Sequence, residues 1–217
     1  IQVVNSLNLE EYLYGVLPKE LSPNLPEEAL KAQAVACRTL AIYNKESSTY
    51  YDVTANTSTQ VYGGYDAEDN EHQERIRKVV DETAGEILLY DNNVINAVFH
   101  SNAGGKTISS RSLWGGERPY LQSVISPFDN YALEYANDPF SWPANTYEWS
   151  KTFTRTELTE AIKNWNRRRP AEQIKVGTVL SINLIMDDDS DPLSRVKELE
   201  IIGTSGRAII SGETGRQ

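Results

Sequence analysis

One carboxylate, Glu20, lies where a general acid would be useful. It follows Pro18 and precedes an apolar, alanine-rich segment at residues 26–39. A carboxylate between a proline break and an apolar helix is expected to be partly desolvated, and desolvation favours the protonated form that a general acid needs. The alternative interpretation is a helix-flanking charge that stabilises the N-terminus of the next helix.

A second candidate block lies at residues 100–107, which read HSNAGGKT. Gly104 and Gly105 allow close backbone approach and are expected to leave N–H groups free. Such a loop is suited to binding sugar hydroxyls or an acetamido group. The alternative is the end of a hairpin, with His100 hydrogen-bonded to backbone. A phosphate loop is disfavoured because the glycine spacing and the following helix of a P-loop are missing.

Composition excludes several other functions. The 217-residue chain carries a net charge of -10, whereas nucleic acid binding needs a basic face. It has two histidines and one cysteine, without metal-ligand spacing, so we predict no metal and no cofactor. The acidic run at residues 187–191 lacks the glycine and terminal glutamate of a calcium loop and is interpreted as a solvated turn. A protease is disfavoured because no Ser, Thr or Cys lies in a known nucleophile motif.

Glycan cleavage is one chemistry that a carboxylate such as Glu20 could perform. Ordinary glycosidases use two carboxylates. A lytic transglycosylase can use one, because the 6-hydroxyl of muramic acid is an internal nucleophile. Glu20 is the one carboxylate whose sequence context favours an acid/base role.

The N-terminal part is predicted to be helical. Asn8 and Glu11 form a capping-box pattern that starts a helix near Leu9, and Pro18 is expected to end it. A second helix runs from Pro26 to about residue 45, and a third spans about residues 70–84 with Gly85 as its stop. The second helix has an apolar stripe at Leu30, Ala34, Cys37 and Ala41.

The rest of the chain is predicted to be mainly strand. Residues 86–90 and 94–100 flank a turn at residues 91–93, and a long aromatic-rich loop covers about residues 127–149. A helix then starts after Thr154, with Glu157 at the boxed position. Its apolar face comprises Leu158, Ala161, Ile162 and Trp165, and three strands follow at about residues 178–186, 195–202 and 207–211. The fold class is therefore α+β, with a helical N-terminal part packed on antiparallel sheet elements.

Five sequence motifs resemble the stage II sporulation protein D (SpoIID) family and its LytB amidase-enhancer relatives. They run in order through nearly the whole chain. They are YLYGVLPKE at residues 12–20, PEEALKAQAVACRT at 26–39, STQVYGG at 58–64, FHSNAGGKT at 99–107, and WGG with PYL within 114–121.

The resemblance implies a peptidoglycan lytic transglycosylase in a domain over residues 1–217, with a possible subdomain at about 127–217. Glu20, in the Pro-x-Glu motif, would be the catalytic acid/base that leaves 1,6-anhydromuramoyl ends. The rival interpretation is a non-catalytic glycan-binding module that stimulates a cell-wall amidase. The residues expected to bind substrate are Arg38, Gln60, Tyr62, His100, Ser101, Asn102, Gly104, Gly105 and Lys106.

The resemblance also implies location and partners. We expect an extracytoplasmic protein that meets peptidoglycan strands and a cell-wall amidase, and no nucleic acid. No apolar run reaches the length of about 18 residues that a membrane span needs, so an anchor would require a segment outside this chain. The family's usual C-terminal Gly-His-Gly-x-Gly-Met-Ser-Gln block is expected to be missing, since the sequence stops at Gly215-Arg216-Gln217.

Overall fold

The computed structural model describes residues 3–46, 50–56, 59–64, 72–134, 147–188, 190–191 and 193–211, which form two compact units. The first unit comprises the described residues up to Ser101, and the second begins at Asn102. Helices dominate the described part of the first unit, and the second combines helices with a three-stranded antiparallel sheet, so the predicted α+β class is confirmed. The predicted subdomain at about residues 127–217 stays a prediction.

Three helices lie in the described part of the first unit: α1 spans Leu9–Glu20, α2 spans Glu27–Tyr43 and α3 spans Gln73–Glu82. The capping box that starts α1 is confirmed. The Asn8 side chain accepts from the Glu11 amide at 2.9 Å, and the Glu11 carboxylate accepts from the Asn8 amide at 3.1 Å. The first two residues of the predicted third helix, 70 and 71, lie outside the described residues.

Pro18 does not end α1, so that prediction is wrong. The helix continues to Glu20, and the Leu21 amide donates to the Leu17 carbonyl at 3.0 Å. A proline inside a helix costs about 3 kcal/mol. Val16 and Leu17 have no exposed surface, and burying two such side chains gains roughly 3–6 kcal/mol. Packing of this turn therefore outweighs the local preference of proline.

The core of the first unit lies where the three helices meet. The predicted apolar stripe on α2 is confirmed, since all four of its residues are buried. The helices contribute the following buried residues: Leu13, Val16, Leu17, Leu30, Ala34, Cys37, Ile76, Val79 and Val80.

A buried arginine crosses this core. Arg38 on α2 has no exposed surface, and its Nη2 atom pairs with the Glu10 carboxylate of α1 at 2.6 Å. The same guanidinium donates to the carbonyls of Val80, at 3.2 Å, and Glu86, at 3.1 Å. A buried charge is tolerated only when it is paired and hydrogen-bonded, and this arrangement ties α1, α2 and the end of α3 together.

A two-residue turn closes a short hairpin after α3. Strands β1, Leu89–Tyr90, and β2, Asn93–Val94, pair antiparallel. Asp91 and Asn92 have positive φ angles of 48° and 61°, as a type I′ turn requires. The predicted turn is confirmed, but the strands are shorter than the sequence pattern indicates.

The second unit packs one helix on a three-stranded sheet. Helices α4, Ser110–Trp114, and α5, Tyr131–Glu134, were not predicted, and residues 135–146 of the predicted aromatic loop lie outside the described residues. Helix α6, Arg155–Arg168, starts at the predicted Thr154 capping box. The sheet has the order β3-β4-β5, and its strands are Val179–Met186, Val196–Gly203 and Gly206–Ser211.

The core of the second unit lies between α6 and the sheet. Leu158, Ile162 and Trp165 pack against buried Val179 and Ile201. The predicted apolar face of α6 is thus confirmed except at Ala161, which is exposed.

Replacing Arg38 by methionine should lower the free energy of unfolding by about 1.5–3 kcal/mol, because the partly exposed Glu10 carboxylate loses its charged hydrogen-bond partner. Urea unfolding followed by a probe in the first unit measures this loss. Lys45→Met is the matched control, since the Lys45–Asp52 pair is exposed, at 3.4 Å, and such pairs contribute less than about 1 kcal/mol. Equal stability losses in the two variants would contradict the role assigned to Arg38.

Candidate active site

Glu20 is the last residue of α1, and its side chain is half-buried, as the sequence predicts. Its Oε1 atom accepts from the backbone amide of Val61 at 3.3 Å. The segment at residues 59–64 therefore lies beside the carboxylate. Ser58 of the same motif is outside the described residues.

Gly15 lets this segment approach α1 closely. A Cβ atom at Gly15 would lie 2.5 Å from Cε2 of the Tyr62 ring, which is too close for any side chain. The Gly63 amide also donates to the Gly15 carbonyl at 3.0 Å. The glycine of the YLYGVLPKE motif thus allows the Tyr62 ring to lie against the helix that carries Glu20.

Two tyrosines stack next to the carboxylate. The ring centroids of Tyr12 and Tyr62 lie 5.4 Å apart with an interplanar angle of 25°. Burial raises the pKa of Tyr12 to about 12, and the nearby charge of Glu20 contributes to the shift. The Tyr12 hydroxyl therefore stays neutral over the whole physiological pH range.

Cys37 lies in the same cluster. Burial raises the pKa of its thiol to about 12, to which the charge of Glu20 again contributes, while the Gln33 amide donates to its Sγ atom at 3.4 Å. The Gln60 amide lies beside the thiol without hydrogen-bond geometry. A protonated, buried thiol is not a nucleophile, so Glu20 is the group in this cluster that is suited to proton transfer.

Two buried polar atoms beside Glu20 lack partners. Among the described residues, Tyr12 Oη and Gln60 Nε2 are the buried side-chain atoms for which the structure shows no hydrogen bond. Gln60 is 2% exposed. An unsatisfied buried polar group costs about 1–3 kcal/mol, and such costs concentrate at functional sites.

The structure brings Glu20, Gln60 and Tyr62 together but gives Arg38 a different place. Its guanidinium is fully buried and its donors are used by Glu10, Thr83 and backbone carbonyls. A side chain without exposed surface cannot contact a glycan strand. The expectation that Arg38 binds substrate is therefore corrected, and its role is structural.

The two ends of the predicted glycine loop belong to different units. His100 and Ser101 are exposed at the end of the first unit, and residues 102–106 begin the second. The Gly105 amide donates to the Asp129 carboxylate at 3.0 Å, and the Gly104 amide donates to the Asn102 side chain at 2.8 Å. The expected free N–H groups are thus occupied, because side-chain acceptors within the second unit bind them.

Lys106 also forms an ion pair within the second unit. Its ammonium pairs with the Asp191 carboxylate at 2.5 Å, and this contact lowers the pKa of Asp191. Asp191 belongs to the acidic run that the sequence analysis interprets as a solvated turn. That run therefore holds the 102–106 loop through Lys106 instead of being wholly solvated.

Sequence reasoning missed Tyr12, although a signal was present. Residues eight apart lie on one face of a helix, which places Tyr12 on the same side of α1 as Glu20. The wrongly predicted helix end at Pro18 concealed this relation. Gly15 was likewise recognised as part of a motif but not as the point where Tyr62 packs.

The described part of the chain contains neither a metal-binding cluster nor a membrane-spanning helix. No group of three or more His, Cys, Asp and Glu residues there is arranged to hold a metal ion. Nor does that part contain a helix long and apolar enough to cross a membrane. The metal-free prediction itself stays a prediction.

The sequence of this chain matches a known protein family over its N-terminal part. Residues 1–90 match the family described as SpoIID, Stage II sporulation protein. An uncharacterized protein of Brachyspira hyodysenteriae is 36% identical over 76% of this chain and 41% of its own length. The amidase enhancer of Bacillus subtilis is 33% identical over 77% of this chain and 24% of its own length.

Stage II sporulation protein D of Bacillus subtilis is 30% identical over 74% of this chain and 47% of its own length. The match of residues 1–90 to the SpoIID family, together with the relatives that carry that name, confirms the resemblance seen in the motifs. The chain spans less than half the length of these curated relatives.

Replacing Tyr12 by phenylalanine should leave the free energy of unfolding unchanged or raise it by about 1 kcal/mol, because the variant removes a buried hydroxyl that has no partner. Tyr14→Phe on the same helix is the matched control. The Tyr14 hydroxyl donates to Asp81 at 2.6 Å, so its loss should cost about 1 kcal/mol or more. Urea unfolding of both variants tests the difference, and a larger loss for Tyr12→Phe would contradict it.

Proposed function

We propose that this chain is a peptidoglycan lytic transglycosylase in which Glu20 is first the acid and then the base. The observation that carries the proposal is the half-buried Glu20 carboxylate beside Val61, Tyr12 and Tyr62. The relatives named for sporulation and for amidase enhancement support a role at the cell wall. The protein would then work outside the cytoplasm, in the cell envelope.

The proposed reaction needs one carboxyl group. Glu20 donates its proton to the glycosidic oxygen as the bond from that oxygen to muramic acid C1 breaks. The resulting carboxylate then takes the proton of the 6-hydroxyl, whose oxygen forms a new bond to C1. The product is a 1,6-anhydro ring, Glu20 regains its proton, and no water is consumed.

The next two carboxylates along the chain are poor catalytic partners. Glu27 pairs with Lys78, and Glu28 pairs with Lys31 at 3.0 Å. Both lie in the first turn of α2, where negative charge stabilises the helix N-terminus. Their engagement supports a mechanism in which Glu20 acts alone.

Substrate binding is proposed for the residues around Glu20 and for the exposed end of the first unit. Tyr62 lies on the segment that contacts Glu20, and His100 and Ser101 are exposed. Gln60 lies on the same segment but is 2% exposed, so its proposed part in binding is to position that segment. Asn102, Gly104, Gly105 and Lys106 remain proposed contacts. Since their polar groups are engaged internally, they would contribute a rigid surface more than free donors.

A second candidate function follows from the relative that is named amidase enhancer. In that case the chain would bind glycan strands without cleaving them and would stimulate a cell-wall amidase. A turnover assay on glycan strands freed of stem peptides, with detection of anhydro-sugars, separates the two functions.

Glu20→Gln should reduce glycan cleavage by roughly 10²-fold or more while the fold is kept, because glutamine preserves size but carries no transferable proton. The measurement is the release of anhydro-sugar ends from peptide-free glycan strands. Glu11→Gln, on the same helix, is a control for the loss of one negative charge. Release of anhydro-sugar ends at a near-wild-type rate by a folded Glu20→Gln protein would contradict the catalytic role of Glu20.

The product ends should be anhydromuramoyl and not reducing muramic acid. Hydrolysis requires a second carboxylate at roughly 5–10 Å from the first to act as nucleophile or to activate water. Mass spectrometry distinguishes the two ends, since the hydrolysed one carries an additional water. A dominant hydrated product would identify an ordinary muramidase with a second catalytic carboxylate.

A further inference from the structure

A cavity of about 740 Å³ adjoins the Tyr12–Tyr62 stack in the first unit. Its walls are the segment at residues 3–9, the end of α2 and the loop at residues 50–55. Pockets that bind small ligands typically measure about 300–1,000 Å³. The cavity is therefore large enough for a ligand and is not a packing defect.

The walls of this cavity are fixed by hydrogen bonds. The Asn5 side chain donates to the Tyr62 hydroxyl at 3.1 Å, which joins the N-terminal segment to the stack. The Glu46 amide donates to the Asp52 carbonyl at 2.8 Å, and the Thr54 and Thr59 hydroxyls lie 3.1 Å apart. Ligand sites are usually formed before the ligand arrives, and these contacts meet that condition.

Tyrosine dominates the aromatic lining. Tyr50 and Tyr51 line the cavity together with the stacked Tyr12 and Tyr62. A tyrosine combines an apolar ring face with a polar hydroxyl. This combination suits a sugar ring, whose C–H faces are apolar and whose rim carries hydroxyls.

The charge of the lining favours a neutral ligand. Among the described residues that line the cavity, Lys45 is the cation and Asp52 the anion, and they pair with each other at 3.4 Å. A phosphate, a nucleotide or the carboxylates of a stem peptide would find no unpaired cation among those residues. An uncharged N-acetylamino sugar meets no such mismatch.

The same two tyrosines connect the cavity to Glu20. The charge of Glu20 acts on Tyr12, and the backbone next to Tyr62 donates to the Glu20 carboxylate. A polymeric substrate extends on both sides of the bond that is cleaved. A pocket lined by Tyr12 and Tyr62, which neighbour the proposed acid/base group, is therefore placed to hold a neighbouring sugar of the same strand.

We propose that this cavity, which we call the tyrosine pocket, is a second saccharide subsite that binds an uncharged N-acetylamino sugar flanking the cleavage point. The proposal rests on the proposed function. It adds residues 3–9 and 50–55 to the substrate path and makes Tyr51 a binding residue that no family motif indicates.

The test uses the Glu20→Gln protein, so that the ligand stays intact. Calorimetric titration with linear N-acetylglucosamine trimers and hexamers should show tighter binding of the hexamer. Adding Tyr51→Ala should weaken hexamer binding about three- to tenfold, the loss expected for one aromatic contact. Tyr90→Ala, an exposed tyrosine of the β1–β2 hairpin, is the control and should leave the affinity unchanged.

A second measurement covers the case in which Tyr51→Ala unfolds. Amide chemical shifts of the Glu20→Gln protein should change at residues 3–9 and 50–55 when the hexamer is added. Changes confined to residues 60–64, or no binding of either oligomer, would overturn the tyrosine pocket, as would binding there of a stem peptide in place of the sugar. The proposed cleavage is decided separately, by comparing anhydro-end release from wild-type and Glu20→Gln proteins.

Discussion

The pairing of Arg38 with Glu10 is the interaction on which the first unit depends. A buried cation cannot remain unpaired, so α1 must present Glu10 to α2 before the helices can pack. Glu10 and Glu20 stand ten residues apart on α1, which is about 15 Å along a helix. Fixing one end of α1 helps to fix the other, so the ion pair of Glu10 and Arg38 contributes to the position of Glu20, the carboxylate proposed for catalysis.

Helix α1 also contains residues that are unfavourable inside a helix. Pro18 removes one amide from the hydrogen-bond ladder, Gly15 provides no side chain, and two donors nearby remain unsatisfied. Each feature weakens the fold locally. Gly15 lets residues 59–64 lie against the helix that carries Glu20, so helix stability is reduced where that segment packs.

The sequence predicts the parts of this structure that short-range chemistry controls. The caps at Asn8 and Thr154 and the hairpin turn at residues 91–93 each depend on a few neighbouring residues, and all are observed. The third helix ends at Glu82, three residues before the predicted stop at Gly85. The wrong predictions concern Pro18, Arg38 and the amides of Gly104 and Gly105. Their outcome depends on partners distant in the chain, such as Glu10 for Arg38 and Asp129 for Gly105, which local patterns do not reveal.

The ionisable side chains of Tyr12 and Cys37, which lie near Glu20, stay neutral near neutral pH. Tyr12 and Cys37 are the ionisable neighbours whose pKa values carry the influence of Glu20, and burial raises both pKa values to about 12. They therefore stay neutral whichever state Glu20 adopts near neutral pH. A carboxyl group that gains and loses its proton among neutral neighbours changes only its own charge. The proposed mechanism, in which one carboxyl group is the acid in the first step and the base in the second, requires no proton exchange with these two side chains.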